Sequence, residues 1–225
     1  MNIQSKIDSR FAASVALLAM LTLLLALSIT KARAQEEPFI EGGHYELLDQ
    51  VQPVQTADKI EVVEMFWYRC PHCYRWEPFI VEWRKTLPDH VQYVPIPALL
   101  SAKWEFHAKA YYTFAALGVV EQLHGKFFSA IHVRRLNIDS VDALADWAAE
   151  NGVQRQSIID AFGSFAVENK LSFASVMTRK YGISGVPAII VDGRYRTTAA
   201  LAGSQERLMK VIDFLIEKAV QARAN

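Results

Sequence analysis

Only two cysteines occur in the 225 residues, and two residues separate them: Cys70-Pro71-His72-Cys73, directly after the apolar run from Ile60 to Tyr68. Two thiols at this spacing, where a strand hands over to a helix, read as a redox pair. The sulfurs meet across the first helical turn, and Pro71 suits the first helical position because its missing N–H would be unpaired there anyway. Cys70 then sits over free backbone N–H groups at the positive end of the helix dipole, which stabilise a thiolate, and a protonated His72 adds a cation beside it. A stable thiolate is a good leaving group, so the bridge it forms is a strong oxidant.

Other uses of the pair fit less well. As a structural staple it would close a four-residue loop and remove only about 1.9 kcal/mol of unfolded-state entropy, against ~4.7 kcal/mol for a 100-residue loop. A zinc site needs two further ligands; no cysteine remains, and His107, His124 and His132 lack the close histidine spacing of such sites. Haem attachment needs histidine after Cys73, where Tyr74 stands.

The elements that must position the pair follow from the pattern around it. His44 to Asp49 reads as a short strand after a loose start at 35–43. Lys59 to Tyr68 is nearly continuously apolar and rich in β-branched and aromatic residues, as expected of a strand covered on both faces. A helix is expected from Pro71 to Leu87, stopped by Pro88 and kinked at Pro78, then a strand from Val91 to Pro95, which together make a parallel crossover. Residues 99–180 show helical patterns near 103–117, 121–133, 140–151, 154–162 and 165–181. Gly118, Gly152 and Gly182 stand at C-terminal caps, and Asp139 or Ser140 at a helix start. Strand character returns at Pro187 to Val191, and Asp192-Gly193 turns the chain into Arg194 to Thr197. An amphipathic helix near 204–221 closes the chain, with Leu208, Val211, Ile212 and Leu215 on one face. The fold class is α/β: a thioredoxin-like fold in two halves, 35–98 and 181–225, around a helical insertion at 99–180.

The first 34 residues read as an export signal: Lys6 and Arg10, an apolar stretch from Phe11 to Ile29, and Ala32-Arg33-Ala34 as a small-x-small cleavage site. An uncleaved membrane anchor is the alternative, because the stretch is long and Lys31 follows it. Either way the folded part lies outside the cytoplasm, where a disulfide persists. Removing 1–34 leaves 20 basic and 23 acidic residues, a formal charge of −3, which disfavours nucleic acid as a partner. A monomer is expected, and no metal, nucleotide or flavin motif is present.

Taken together, these residues resemble the periplasmic thiol oxidases of the DsbA type, within the thioredoxin superfamily. The resemblance rests on the export signal, Val63-Glu64-Met65-Phe66-Trp67, Cys70-Pro71-His72-Cys73-Tyr74, the helical insertion and Gly185-Val186-Pro187, and it covers essentially all of the chain after the signal. It implies a cis peptide bond between Val186 and Pro187, in a loop lying against Cys70 and offering main-chain groups to an extended substrate. The family also has an acid at Glu64, where burial would raise the carboxyl pKa and allow proton exchange with Cys73; a bulge in the strand that lets Glu64 reach solvent is the alternative. Glu77 matches a further family acid, although a solvated helix-face charge accounts for it equally well.

The activity implied is transfer of a Cys70–Cys73 disulfide, with no other cofactor, to unfolded exported proteins with free thiols. Reoxidation would fall to a membrane quinone reductase of the DsbB type. A disulfide isomerase or reductase on the same fold is one alternative. Against it, residues 35–58 are too short for the dimerisation domain of the family's isomerases, which commonly carry threonine where Val186 stands. A peptide-binding holdase with incidental thiols is the other. The remaining histidines and Trp67, Tyr74 and Trp76 read as surface or packing residues, and the aromatic stretch Trp104 to Phe114 as the insertion's own core, with a peptide-binding surface as the alternative.

Overall fold

The computed structural model describes residues 38–56 and 58–224. The expected signal at 1–34 lies outside the described residues. By backbone contacts, Phe39–Asn225 forms one compact unit.

β2 (Ile60–Phe66) is buried along its whole length, and its side chains alternate between two cores. Ile60 and Val62 pack with Trp76, Ile80, Leu208 and Ile212, whereas Val63 and Met65 pack with Phe114, Leu123 and Phe128. That two-sided burial is why the strand reads as an unbroken apolar run. After Cys70, α1 (Pro71–Arg84) begins with Cys70 as its N-cap and Pro71 at N1. It runs through Pro78 and ends at Arg84, before the expected Leu87; the Thr86 hydroxyl donates to the Trp83 carbonyl at 2.8 Å and turns the chain ahead of Pro88. β3 (Val91–Pro97) pairs parallel to β2, as a crossover requires, with Glu64 opposite Pro95 and Val62 opposite Tyr93.

A 3₁₀ turn, Ala102–Trp104, leads into α2 (Glu105–Ala116), α3 (Val120–His132), α4 (Val141–Glu150), α5 (Arg155–Phe162) and α6 (Phe165–Lys180). Gly118, Gly152 and Gly182 have φ of +70°, +88° and +59°, the left-handed backbone that ends helices most cheaply with glycine. Ser140 caps α4 by accepting from the Ala143 N–H. β4 (Ala188–Val191) and β5 (Tyr195–Thr198) then form a hairpin, followed by α7 (Ala199–Ala202) and α8 (Gln205–Ala224). Among the described residues the sheet order is β1-β5-β4-β2-β3, where β1 is Glu46–Leu47. β4 lies antiparallel to β2 and so brings the Val186–Pro187 loop to the end of β2 where Cys70 follows.

Two expectations at the N-terminal side are corrected. The strand expected at His44 to Asp49 shrinks to Glu46–Leu47. Residues 39–43 are not loose: Phe39 is buried, and its ring meets Phe214 at 5.5 Å and His44 at 5.4 Å.

The β4–β5 hairpin is the fold's tightest local requirement. Asp192 (φ +54°) and Gly193 (φ +61°) form a turn closed by the Arg194 N–H donating to the Val191 carbonyl at 3.0 Å. A Cβ on residue 193 would lie 2.1 Å from the Gln52 carbonyl oxygen. Gly193→Ala is therefore expected to cost about 2 kcal/mol or more. Thermal unfolding should show Tm lowered by roughly 4–8 °C for a chain of this size; an unchanged Tm would contradict this packing.

Candidate active site

Cys70 and Cys73 are free thiols in this structure. As N-cap of α1, the Cys70 sulfur accepts the Cys73 N–H at 3.3 Å. The Cys73 S–H is the main reason the Cys70 pKa falls from 9.0 to about 6; burial opposes this, and the N–H groups of Cys73 and His72 add to it. The His72 charge contributes after these, so backbone and thiol donors outrank the imidazolium that sequence reasoning put beside them. His72 is exposed, and its Nδ1 accepts from the Arg75 guanidinium at 2.9 Å, a bond that the neutral ring makes and that the charged ring acting on Cys70 would give up. Cys73 is only 1% exposed against 6% for Cys70; burial, then the bond to Cys70, pushes its pKa well above the thiol range. The two sulfurs are thus chemically unequal in the dithiol state.

Across from them, the Val186–Pro187 peptide bond is cis, and the protonated Cys70 thiol donates to the Val186 carbonyl at 3.3 Å. That contact belongs to the thiol only; on ionisation Cys70 keeps the donors from Cys73 and releases the carbonyl.

Glu64 lies in β2 on the face shared with Ile60 and Val62 and is 3% exposed. Burial, then the charge of Glu77, lifts its pKa from 4.5 to about 8, against the Tyr93 hydroxyl that donates to its carboxyl oxygen. Its charge acts on Cys73 and raises that thiol further. Glu77 is not a solvated helix-face charge: its side chain is 14% exposed and its Oε2 lies 3.5 Å from His124 Nε2. With Nε2 turned to the carboxylate, Nδ1 of His124 accepts the Tyr68 hydroxyl at 2.7 Å. A buried polar chain thus runs from β2 and α1 into α3.

Three partners escaped sequence reasoning. Tyr93 and His124 complete the carboxylate network. His132 holds both flanks of the cysteine loop: its Nε2–H donates to the Tyr68 carbonyl at 2.7 Å, and its ring stacks on Tyr74 at 4.9 Å and 10°. The available signal was two imidazoles eight residues apart on α3, a helix whose apolar face carries Leu123, Phe127 and Phe128; polar rings beside such a face need partners. His107 does pack as expected, buried and pushed by burial to a pKa of about 4, while Trp67 stacks on Trp104 at 4.2 Å and 7°. Among the described residues no group of three or more His, Cys, Asp or Glu could hold a metal ion, and no helix is long and apolar enough to cross a membrane.

Two outcomes follow from this geometry. His132→Phe keeps a ring against Tyr74 but removes the donor to Tyr68, so the equilibrium constant of the dithiol–disulfide couple with glutathione should shift about fivefold toward a weaker oxidant, one hydrogen bond's worth. His132→Gln should recover part of it; equal constants for all three proteins would dismiss the clamp. Glu64 has a folded pKa above its unfolded value, so it favours the fold below about pH 4.5, and that contribution is lost as pH rises through about 8. Glu64→Gln should therefore reduce the loss of unfolding free energy between pH 5 and pH 9 by roughly 4 kcal/mol. Parallel pH profiles for the two proteins would contradict the buried-acid assignment.

Comparison with known proteins agrees with this arrangement. Residues 90–212 match the family model described as a DSBA-like thioredoxin domain. The thiol:disulfide interchange protein DsbA of Pseudomonas aeruginosa is 37% identical over 199 residues, covering 88% of this chain and 94% of its own. That of Bordetella parapertussis is 37% identical over 221 residues, covering 98% and 99%. The crystal structure of Pseudomonas aeruginosa DsbA superposes with a TM-score of 0.81 at 36% identity, covering 84% of this chain and 99% of that one. The oxidoreductase DsbA of Xylella fastidiosa gives 0.76 at 30% identity, covering 83% and 99%. With a cysteine pair capping α1 beside a cis-proline loop, on a sheet shared with these relatives, the chain belongs to the DsbA family of thioredoxin-fold thiol:disulfide oxidoreductases.

Proposed function

We propose that the chain works as an exported thiol oxidase, passing a Cys70–Cys73 disulfide to unfolded proteins that carry free thiols. The observation that carries this reading is the inequality of the sulfurs: Cys70 ionises near pH 6, while Cys73 is held well above the thiol range. In the disulfide state a client thiolate attacks the Cys70 sulfur, the more exposed of the two. The Cys70–Cys73 bond breaks, a client–Cys70 bond forms, and Cys73 leaves as a thiolate that takes up a proton. Glu64, protonated at neutral pH by its burial, supplies that proton and is reprotonated from solvent.

A second client thiolate then attacks the client sulfur of the mixed disulfide. The client's own disulfide closes, and Cys70 departs as the anion that His72, Pro71 and the start of α1 favour. Val186 and Pro187 bind the client: the Val186 carbonyl, released by the ionised or disulfide-bonded Cys70, accepts a backbone N–H of an extended segment. Two electrons pass from the client dithiol to the protein. Their onward acceptor is a membrane quinone reductase of the DsbB type, and the redox-active disulfide is the only cofactor the cycle uses. Residues 1–34 direct the chain to the periplasm, with cleavage after Ala34, and the working form is a monomer.

Incubation of oxidised protein with a reduced, unfolded dithiol client tests this. Cys70→Ser should abolish client oxidation, and Cys73→Ser, mixed with a preformed client disulfide, should accumulate a covalent adduct at Cys70 that reducing agent releases. Undiminished assistance of client folding by Cys70→Ser would instead describe a holdase whose thiols are incidental.

A further inference from the structure

We infer that the face around Cys70 selects clients whose cysteine is flanked by acidic residues; the inference rests on the oxidase reading above and names its substrate class. Arg69, Arg75, Arg134 and Arg135 are all exposed. Their placement around the redox centre follows from four contacts. Arg69 directly precedes Cys70, and its guanidinium donates to the Asn137 side chain. Arg75 donates to His72. His132 is bonded to the Tyr68 carbonyl and stacked on Tyr74. The segment 133–136 is therefore fastened at both ends, by His132 and Asn137, against the residues on either side of the cysteine loop.

Among the described residues none of these guanidinium groups has a carboxylate partner. Arg84, Arg155 and Arg196, by contrast, each hold one at 2.6 Å. The acid in the same loop, Asp139, takes its bond from the Asn137 amide at 2.7 Å. The chain has a formal net charge of zero, so this is a local excess rather than a general basicity. Arg135 also adopts φ +55°, a left-handed backbone in which glycine or asparagine is cheaper, so the loop gains no stability from carrying arginine there.

An acidic client segment fits this charge better than a lipid surface does. Arg69 and Arg75 flank the cysteine loop, Arg134 and Arg135 lie in the segment fastened beside it, and Arg75 with His72, Val186 and Pro187 lines a groove of about 770 Å³. A membrane pressed against this face would close the groove to clients. An extended peptide advances about 3.3 Å per residue. Positions two or three from its cysteine thus lie roughly 7–10 Å from Cys70, within about a Debye length at physiological salt. Opposite charge at that range acts mainly on the rate of encounter.

The test uses the oxidised full chain and two reduced dithiol peptides of equal length, with glutamate or lysine on both sides of the first cysteine. Each oxidation rate is divided by that peptide's rate with hydroxyethyl disulfide, an uncharged oxidant, which removes the effect of flanking charge on the thiol itself. The normalised ratio of glutamate to lysine peptide should be about tenfold at low salt. It should fall toward one at about 0.5 M salt, where the Debye length has shrunk to a few ångströms. Arg134→Glu with Arg135→Glu should lower the low-salt ratio several-fold, and the salt titration of the unaltered chain stands whether or not that variant folds. A ratio of one or less, or one that ignores salt, overturns the inference. So does a ratio of one accompanied by salt-sensitive binding to phosphatidylglycerol vesicles, which would give the arginines to lipid. If neither peptide is oxidised, the oxidase reading itself fails.

Discussion

The bond from Cys73 to the Cys70 sulfur governs the rest of this molecule. A proton shared between two thiols settles on the one that can least bear charge, and burial at 1% exposure makes that Cys73. Cys70 is left as the anion, served by its partner's S–H and by N–H groups at the start of α1. Because its folded pKa lies below the ordinary 9.0, ionisation stabilises the dithiol fold fully above that value, and the gain is lost as pH falls through about 6. Stabilising the dithiol is equivalent to making the disulfide oxidising, so one local hydrogen-bond pattern sets the direction in which electrons flow.

The remaining elements keep that pattern in place. β2 delivers the loop from between two cores, and parallel pairing with β3 lays Tyr93 beside Glu64. The antiparallel β4 sets Val186 against Cys70. The helices between β3 and β4 are more than a cover: α3 reaches the loop twice, through His124 to Glu77 and Tyr68, and through His132 to the Tyr68 carbonyl and the Tyr74 ring. Movement of α3 would therefore be felt at the sulfurs, because packed elements shift between discrete arrangements rather than deform smoothly.

What could be read from the sequence was local. Cys-Pro-His-Cys at a strand–helix junction, the doubly covered β2 and the Asp192-Gly193 turn each depend on residues a few positions apart. The burial of Glu64 was legible for the same reason, as an acid in the middle of an apolar strand. Its partner was not: Tyr93 is 29 residues away, and only the register of β2 against β3 brings it close. His132 and Tyr68 are 64 apart, and their bond depends on how α3 docks. Glu77 was ambiguous because α1 has a covered side at that position only once His124 is known. The order of causes at Cys70 depends on the folded arrangement, since sequence shows that His72 is near but not that Arg75 donates to its Nδ1.

Ionisation of Cys70 in the dithiol protein, followed by thiolate absorbance or by the pH dependence of its alkylation, with Cys73→Ala to remove the side-chain donor, is the most direct test. The structure requires a midpoint near pH 6 in the unaltered chain, moving upward when the Cys73 donor is lost. A midpoint near 9 in the unaltered chain would contradict the account, because Cys70 would then be an ordinary thiol and its disulfide no better an oxidant than that of a free thiol.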